Sequence, residues 1–494
     1  MDERALAGVM EQVSQTQTAL NIVWTILAAA LVMFMQAGFA LVETGFSRPK
    51  NVAHTMAINF LVYSIAVIAY WLIGFGLQMG GVGAVSSLGL ESGLTREFTI
   101  QIAGRSHGLF GLTGFCTPPS IMTPALAALF MFQLVFMATG TIIPTGALLE
   151  RWKFSAFMIF SFVIAAVIYP VYANWVWGGG FLSTLGRNFG LGHGHVDFAG
   201  SSVVHMTGGV TAFVAASLLG PRFGKYNLRG DSQALPAHSI PLIVTGTFIL
   251  AFGWFGFNAG STLSGMDTHF AIVAVNTMLA SASGAVAGAM WSWKRFGKPD
   301  VTMMCNGMLA GLVAITAPCA FVPAWSALFI GSIAGVLVIE STLFIERRLR
   351  IDDPAGAISV HGVCGSFGVF ALGIFADGSY GAGLNGVTTP VRGILYGDPG
   401  QLIAQLIGIG TNMTWVGSAA AVSFLVIEKL IGHRPRLEDE VIGLDLTEMG
   451  MEGYYSEDPT RAMPVGRPRL GEGPTTPYDP PTFTGLASGT RARS

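Results

Sequence analysis

Charged residues are scarce in this sequence. Asp, Glu, Lys and Arg make up 11% of its 494 residues, whereas about a quarter of the residues are charged in an ordinary soluble domain. The scarcity excludes a typical soluble globular protein. The formal net charge of −2 leaves no basic surface for a nucleic acid, so we expect no nucleic acid partner.

The sequence also lacks patterns that hold metals or form a disulfide framework. Four cysteines occur without a C-x-x-C pair or zinc-like spacing, at Cys116, Cys305, Cys319 and Cys364. We expect apolar packing for them, and the sequence leaves a Cys116–Cys319 disulfide open. His193 and His195 in "GHGHVD" have no further ligands nearby, so we expect a solvated turn there, and neither a metal nor a cofactor.

Long apolar segments are what the sequence does contain. Hydrophobic residues make up 52% of the chain, 65 residues are glycine and the mean hydropathy is +0.59. A transmembrane helix needs about 20 mainly apolar residues, and eleven segments meet this length, near 20–42, 56–79, 124–149, 154–177, 200–220, 240–262, 269–292, 301–318, 324–345, 356–375 and 402–431. Runs such as "LVYSIAVIAYWLIGF" lack the period-two alternation of a membrane barrel. We therefore predict an all-α integral membrane protein.

Lys and Arg predict how these spans are oriented, because cytoplasmic loops collect them. One side has five, namely Arg96, Arg105, Arg187 and Arg392 in loops and Arg4 in the amino-terminal segment. The other side has thirteen, namely Arg48, Lys50, Arg151, Lys153, Arg222, Lys225, Arg229, Lys294, Arg295, Lys298, Arg347, Arg348 and Arg350. The bias places the amino terminus outside and the carboxyl terminus inside. The first span is long for a signal peptide, so we predict that it is retained, with a cleaved signal left open.

Composition divides the chain into three parts. Residues 1–431 hold the eleven spans, and the longest internal loop is the outer stretch 80–120. Residues 432–459 are charged, and we predict a cytoplasmic regulatory segment there. Residues 460–494 are rich in Pro, Gly, Thr and Arg, which predicts a disordered tail.

Two nine-residue stretches share one frame. "DFAGSSVVH" runs from Asp197 to His205, and "DPAGAISVH" runs from Asp353 to His361. Each Asp precedes an apolar run, where its carboxylate can accept free N–H groups of the first helical turn, so both acids are most simply helix caps. At about 1.5 Å per residue, each histidine lies roughly 12 Å deeper, near the middle of a hydrocarbon layer about 30 Å thick.

The two frames begin the fifth and tenth spans, which enter the membrane from opposite sides. This arrangement predicts an inverted repeat of spans 1–5 and 6–10, which in transport proteins places the site at the repeat interface. One buried histidine could be a packing residue. Two at matched depth favour a functional site formed by His205 and His361, because ionisable groups inside a membrane are costly and mostly line a pathway.

Longer motifs extend the pattern. The stretches "MQAGFALVETGFSRPKN", "GALLERWKF", "DFAGSSVVHMTGG", "GWFGFNAGS" and "GLDLTEMGMEGY" occur in this order. From Asn21 to Tyr455 the chain resembles the ammonium transporter (Amt/Mep/Rh) family, on its Amt branch. The resemblance implies a channel-like protein, usually a homotrimer with one pore per subunit, that carries ammonium or ammonia across the inner or plasma membrane. It also implies a PII-type regulatory protein as a partner at the cytoplasmic face.

The family's functional positions carry over by motif. The resemblance implies twin pore histidines at His205 and His361 and the family's acid at Asp197. It also implies an outer cage that recruits ammonium and a gate of stacked rings below it: the cage is Trp177, Phe132 and Ser261, and the gate is Phe136 and Phe257. The hypothesis is that NH4+ loses its proton near the gate and that NH3 passes along the histidines.

Three other functions stay open at this point. A secondary transporter of another solute would want a carboxylate inside a span, yet acids such as Glu43, Glu150 and Glu340 fall mainly at span ends. An intramembrane enzyme is disfavoured, because no nucleophile or carboxylate accompanies the histidines at the same depth. An ammonium sensor would use the same pore and signal through the carboxyl-terminal segment.

Overall fold

The helices of this protein follow the predicted apolar segments closely. The computed structural model describes residues 3–91, 93–383 and 387–454. Within these residues, ten helices are long and apolar enough to cross a membrane, and Val301–Ile315 is a shorter apolar helix. In chain order they are α1 Glu3–Phe46, α2 Pro49–Met79, α3 Pro124–Leu148, α4 Phe154–Trp177, α5 Ser201–Leu219, α6 Ile240–Thr262, α7 Phe270–Phe296, α8 Val301–Ile315, α9 Ala324–Leu349, α10 Ile358–Phe375 and α11 Pro399–Ile431. The protein is a multi-pass membrane protein.

Two features of these helices differ from the predictions. Helix α1 begins at Glu3, well before residue 20, because the preceding polar stretch contains good helix formers and only one glycine, Gly8. The predicted span 301–318 is a helix of 15 residues, so the count of eleven spans stays a prediction. The predicted tail 460–494 lies outside the described residues.

Side-chain caps explain where several helices begin. The Thr123 hydroxyl accepts a hydrogen bond from the Leu126 amide ahead of α3, and the Asp300 carboxylate accepts one from the Thr302 amide ahead of α8. Asp398 does the same for α11. Such caps satisfy amides that have no partner inside the helix, and each contributes roughly 1 kcal/mol.

The stretch 80–120 departs from the predicted all-α class. Strands β1 Glu97–Ile102 and β2 Arg105–Gly111 form an antiparallel hairpin there. Glu97 is the first residue of β1, and its side chain accepts a hydrogen bond from the Asn174 side chain at the end of α4. Burial raises the pKa of the Glu97 carboxyl to about 7, and the Asn174 bond opposes the shift. We call this end of the bundle the hairpin end.

The segment after α11 packs against helix starts at the other end of the bundle, which we call the tail end. It contains the short helix α12, Leu437–Ile442. The Asp445 carboxylate accepts a hydrogen bond from the His54 amide at the start of α2, and Glu448 accepts one from the Phe154 amide at the start of α4. The segment therefore supplies caps for two helices that precede it by about 300 residues or more.

A buried ionic network joins the loops at the tail end. Asp352 forms ion pairs with Arg151 and with Arg222, and Glu150 pairs with Arg222 and Arg48. Burial alone would raise the Asp352 pKa, but the two guanidinium groups outweigh it and hold that pKa well below its usual range. Buried charges persist only when they are paired and hydrogen bonded, so these loops are fixed relative to one another.

The cysteines are free thiols. Cys116 is exposed and Cys319 is fully buried. Each Sγ atom lies near a backbone carbonyl, that of Leu72 and that of Thr316 respectively. The disulfide left open by the sequence is therefore not formed in the structure.

Candidate functional site

The first frame begins with a fully buried carboxylate that accepts five hydrogen bonds. Asp197 binds the backbone amides of Gly200, Ser201, Ser202 and Val203 at 2.7–2.9 Å, and the Ser202 hydroxyl at 2.7 Å. These are the contacts that an N-cap makes, in an unusually complete form. The carboxylate therefore holds the first turn of α5, which carries His205.

The second frame uses the same acid with fewer contacts. Asp353 accepts hydrogen bonds from the Ala357 and Ile358 amides, at 3.0 and 2.8 Å. Burial raises its pKa to about 6, and these amide bonds oppose the shift. The glycine shared by both frames has a positive φ, +115° at Gly200 and +77° at Gly356, which a residue with a Cβ rarely adopts.

The path from each acid to its histidine is not the continuous α-helix that was predicted. Helical structure begins at Ser201 and near Ile358, and the residues 201–206 and 358–363 form wider π-helical turns. The estimate of about 12 Å between acid and histidine assumed an α-helical rise over all eight residues, and it stays a prediction. Wider turns of this kind are frequent at functional sites.

The structure brings the two predicted histidines together. His205 and His361 are 0% and 5% exposed. Their Nδ1 atoms lie 3.2 Å apart and their rings are 5.2 Å apart between centroids. One Nδ1 must donate and the other must accept. The Nε2 atom of His205 is buried with no hydrogen-bond partner among the described residues.

A column of rings leads from the hairpin end to the histidines. Trp177 lies 6.0 Å from Phe136, Phe136 stacks on Phe257 at 4.2 Å, and Phe257 stacks on His205 at 5.3 Å. Phe132 packs beside Phe136 at 4.5 Å. The predicted gate residues are thus in direct ring contact, and they separate Trp177 from the histidine pair.

Two of the predicted cage residues line a cavity at the hairpin end. Trp177 and Ser261 both border this cavity of about 530 Å³, whereas Phe132 does not border it. The Ser261 hydroxyl donates to the Phe257 carbonyl at 2.7 Å, so its lone pairs stay available to an N–H donor. The Trp177 indole donates to the backbone carbonyl of Asp197, which ties the cavity to the first frame.

Three neighbours of the site were missed by sequence reasoning. Asp267 is the one acid among the described residues that line the cavity, and its carboxylate accepts hydrogen bonds from the Tyr380 hydroxyl and the His269 amide. Trp254 stacks on His205 at 5.3 Å. His195 was predicted in a solvated turn but is fully buried, which is a correction. The sequence carries no pattern that would have revealed any of them.

Comparison with known proteins now decides the family. The model of the Ammonium Transporter Family matches residues 23–454. This chain belongs to the Ammonium Transporter Family. The resemblance predicted from the motifs is therefore confirmed. Among the described residues, no group of three or more His, Cys, Asp or Glu side chains could hold a metal ion.

Curated and solved members of the family align over most of the chain. The ammonium transporter Amt2 of Archaeoglobus fulgidus is 45% identical over 88% of this chain and 88% of its own. Amt1 of Haloferax mediterranei is 36% identical over 88% of this chain and 79% of its own. A solved structure described as a sensor Amt protein has a TM-score of 0.76 at 34% identity and covers 88% of this chain and 99% of its own. Candida albicans Mep2 has a TM-score of 0.72 at 26% identity, over 90% and 93%.

Proposed function

We propose that this protein carries ammonium or ammonia across the cell membrane along the ring column, with His205 and His361 as the polar part of the pathway. The observation that carries the proposal is the 3.2 Å contact between two buried imidazoles at the end of that column. The Ammonium Transporter Family and its named members support the same cargo.

The cavity at the hairpin end suits recruitment of the cation. Ammonium carries four N–H donors and a full charge, and ring faces attract such a cation with about 2 kcal/mol or more per contact when it is desolvated. Trp177 offers a ring face, and Ser261 offers a hydroxyl acceptor whose own hydrogen is bonded elsewhere. The carboxylate of Asp267 adds a negative charge to the same cavity.

The stacked rings below the cavity oppose passage of a bare charge. Phe136 and Phe257 are both 0% exposed, and an apolar constriction makes a dehydrated ion costly. Neutral NH3 has no such penalty. We therefore place loss of the proton at or above these rings, and passage of NH3 below them.

The histidine pair presents both a donor and an acceptor to ammonia. The Nδ1 atoms share one hydrogen, so the ring that donates it has a bare Nε2, and the other ring carries its hydrogen on Nε2. Ammonia can donate to the first and accept from the second. The unpartnered Nε2 of His205 is available for such a contact.

The test is an ammonium jump on proteoliposomes that contain the purified protein, with current and internal pH recorded together. Replacement of both His205 and His361 by Ala should lower the ammonium response at least tenfold, whereas His193→Ala, in a loop outside the column, should leave it unchanged. An undiminished response of the folded double variant would overturn the proposal. Net charge per nitrogen decides whether NH3 or NH4+ is the species carried overall.

Two other functions make different predictions. A secondary transporter of another solute would respond to that solute, whereas our proposal requires competition by methylammonium and none by sugars or amino acids. A sensor is favoured by the similarity to a solved sensor Amt protein, and it would bind ammonium with no flux in the proteoliposomes. Glu43 is a buried carboxylate three residues from the end of α1, where Thr145 and Asn59 donate hydrogen bonds to it.

We further propose a homotrimer, in the inner or plasma membrane, with a PII-type protein bound at the tail end. The tail segment 432–453 packs there on the starts of α2 and α4, where a cytoplasmic regulator could reach it. Mass measurement in detergent tests the trimer. Pull-down with and without residues 432–494 tests the partner, and equal recovery from both chains would contradict a role of the tail.

A further inference from the structure

His195 is a buried imidazole that the proposed pathway does not use. It lies in the loop between α4 and α5 and is 0% exposed. Its Nε2 atom lies 2.9 Å from the Ser202 hydroxyl, and that hydroxyl lies 2.7 Å from Asp197 Oδ2. The three side chains form a continuous chain of hydrogen bonds that ends on the carboxylate holding the first turn of α5.

The direction of these bonds follows from the number of hydrogens. Asp197 faces five donors, so it acts as an acceptor and Ser202 must donate its one hydroxyl hydrogen to it. The contact with His195 then needs the hydrogen on Nε2 of the imidazole. Burial lowers the pKa of His195 to about 4, although nearby Asp197 and the Ala404 backbone oppose that shift, so the ring is neutral at pH 7.

Helix α11 holds the loop that carries His195. The Gln405 side chain accepts a hydrogen bond from the Val196 amide at 2.8 Å and donates to the Val196 carbonyl, and Gln401 donates to the Gly194 carbonyl at 2.8 Å. The imidazole packs on Gly408 of α11 so closely that an added Cβ there would overlap the ring. The position of the ring is therefore fixed independently of α5.

The second frame has no counterpart of this chain. At the positions that match His195 and Ser202 in the shared frame stand Ile351 and Ile358, which have no side-chain donor. Asp353 accordingly accepts hydrogen bonds from two backbone amides. Asp197 accepts hydrogen bonds from four backbone amides and one hydroxyl. The extra bonds belong to the frame that carries His205.

We propose that His195 is a positioning residue of the conduction site: its Nε2–H, through the Ser202 hydroxyl, orients the Asp197 carboxylate and so fixes the turn that presents His205 to His361. This inference rests on the proposed function for its transport consequence. Its structural part, the ordering of residues 200–205, does not depend on what is carried.

The test compares His195→Phe, which keeps a ring and removes the donor, with His195→Gln, which supplies an amide N–H at nearly the same place. His193→Phe is the matched control, because His193 lies two residues away and bonds the exposed Thr389 hydroxyl. Three quantities are measured: the maximal rate for ammonium in proteoliposomes, the half-saturation concentration for ammonium, and the hydrogen exchange of the amides at 200–203.

His195→Phe should lower the maximal rate and the amide protection at 200–203 by about tenfold each, which is the size of one net buried hydrogen bond, with the half-saturation concentration within twofold of wild type. His195→Gln should stay within about threefold of wild type in both, and His193→Phe should match wild type. Equal behaviour of His195→Phe and His193→Phe overturns the proposal. Equal losses in His195→Phe and His195→Gln also overturn it, because ring packing alone would then explain the effect.

A second pair of variants covers the case in which His195→Phe does not fold. Ser202→Ala removes the middle hydroxyl and Ser202→Thr keeps it, so Ala should reproduce the loss of protection and Thr should not. If the wild-type protein carries no ammonium at all, the proposed function fails, while the exchange measurement still decides whether the hydrogen-bond chain orders the turn.

Discussion

The Nδ1 atoms of His205 and His361 lie 3.2 Å apart, although 156 residues separate them along the chain. Both rings are buried, so neither nitrogen can turn to water if its partner is removed. The contact therefore couples the starts of α5 and α10, and it can be measured without any assay of transport.

The first prediction concerns this coupling. His205→Ala and His361→Ala should each lower the free energy of unfolding by about 1–3 kcal/mol, because each leaves a buried imidazole nitrogen without its partner. The double variant should cost at least about 0.5 kcal/mol less than the sum of the two single variants. The wild type, the two single variants and the double variant are unfolded in the same detergent, which gives a double-mutant cycle. Strictly additive losses of stability would show that the two nitrogens do not interact.

The second prediction compares the two acids of the repeated frame. Asp197→Asn turns an amide N–H2 toward several of the five donors that the carboxylate now accepts, and it should cost about 2–3 kcal/mol. Asp353→Asn disturbs two amide bonds and should cost about 1 kcal/mol. Thermal unfolding of both variants measures the two losses of stability. A larger loss for Asp353→Asn than for Asp197→Asn would contradict the prediction.

The third prediction concerns the ionic network at the tail end. Asp352→Asn leaves Arg151 and Arg222 buried without the carboxylate that both contact, and such a change costs about 3–5 kcal/mol. The control is Glu340→Gln, which breaks the half-exposed pair with Arg295 and should cost under about 1 kcal/mol. Equal denaturation midpoints for the two variants would contradict the prediction that the buried pairs of Asp352 contribute more than the half-exposed pair of Glu340.

The fourth prediction is a pH dependence that belongs to His195. Its pKa is about 4 in the folded protein and about 6.5 as a free side chain. Between these values the unfolded chain binds more protons, so folding stability should fall as the pH drops from about 6.5 to about 4. His195→Gln has no titrating group there, and the difference between its unfolding free energy and that of the wild type should shrink or reverse across this range. A constant difference would contradict a buried neutral imidazole.

The sequence predicted the parts of the site that depend on local pattern. The spacing from Asp197 to His205, repeated from Asp353 to His361, indicated a buried pair, and the positive φ of Gly200 and Gly356 shows why the frame requires glycine. These features depend on backbone geometry within nine residues. The motifs around Phe132 and Ser261 supplied the remaining positions by resemblance to the family.

The missed residues depend on contacts between distant segments. His195 is buried because Gln401 and Gln405, more than 200 residues later, bind the backbone of its loop, and no local pattern records that pairing. Asp267 borders the same cavity as Trp177, although 90 residues separate them along the chain. An α-helical rise was assumed over residues 201–206 and 358–363, where the structure has wider π-helical turns.

The docking of the tail segment also constrains when the tail end of the bundle can fold. The Leu444 amide donates to the Asn51 side chain across 393 residues of sequence. At about 5–20 residues per second, synthesis of that interval takes roughly 20–80 s. Throughout that time the start of α2 lacks the hydrogen-bond partners that Leu444 and Asp445 supply. The tail end of the bundle is therefore completed late in synthesis, and a chain interrupted before Leu444 lacks these contacts.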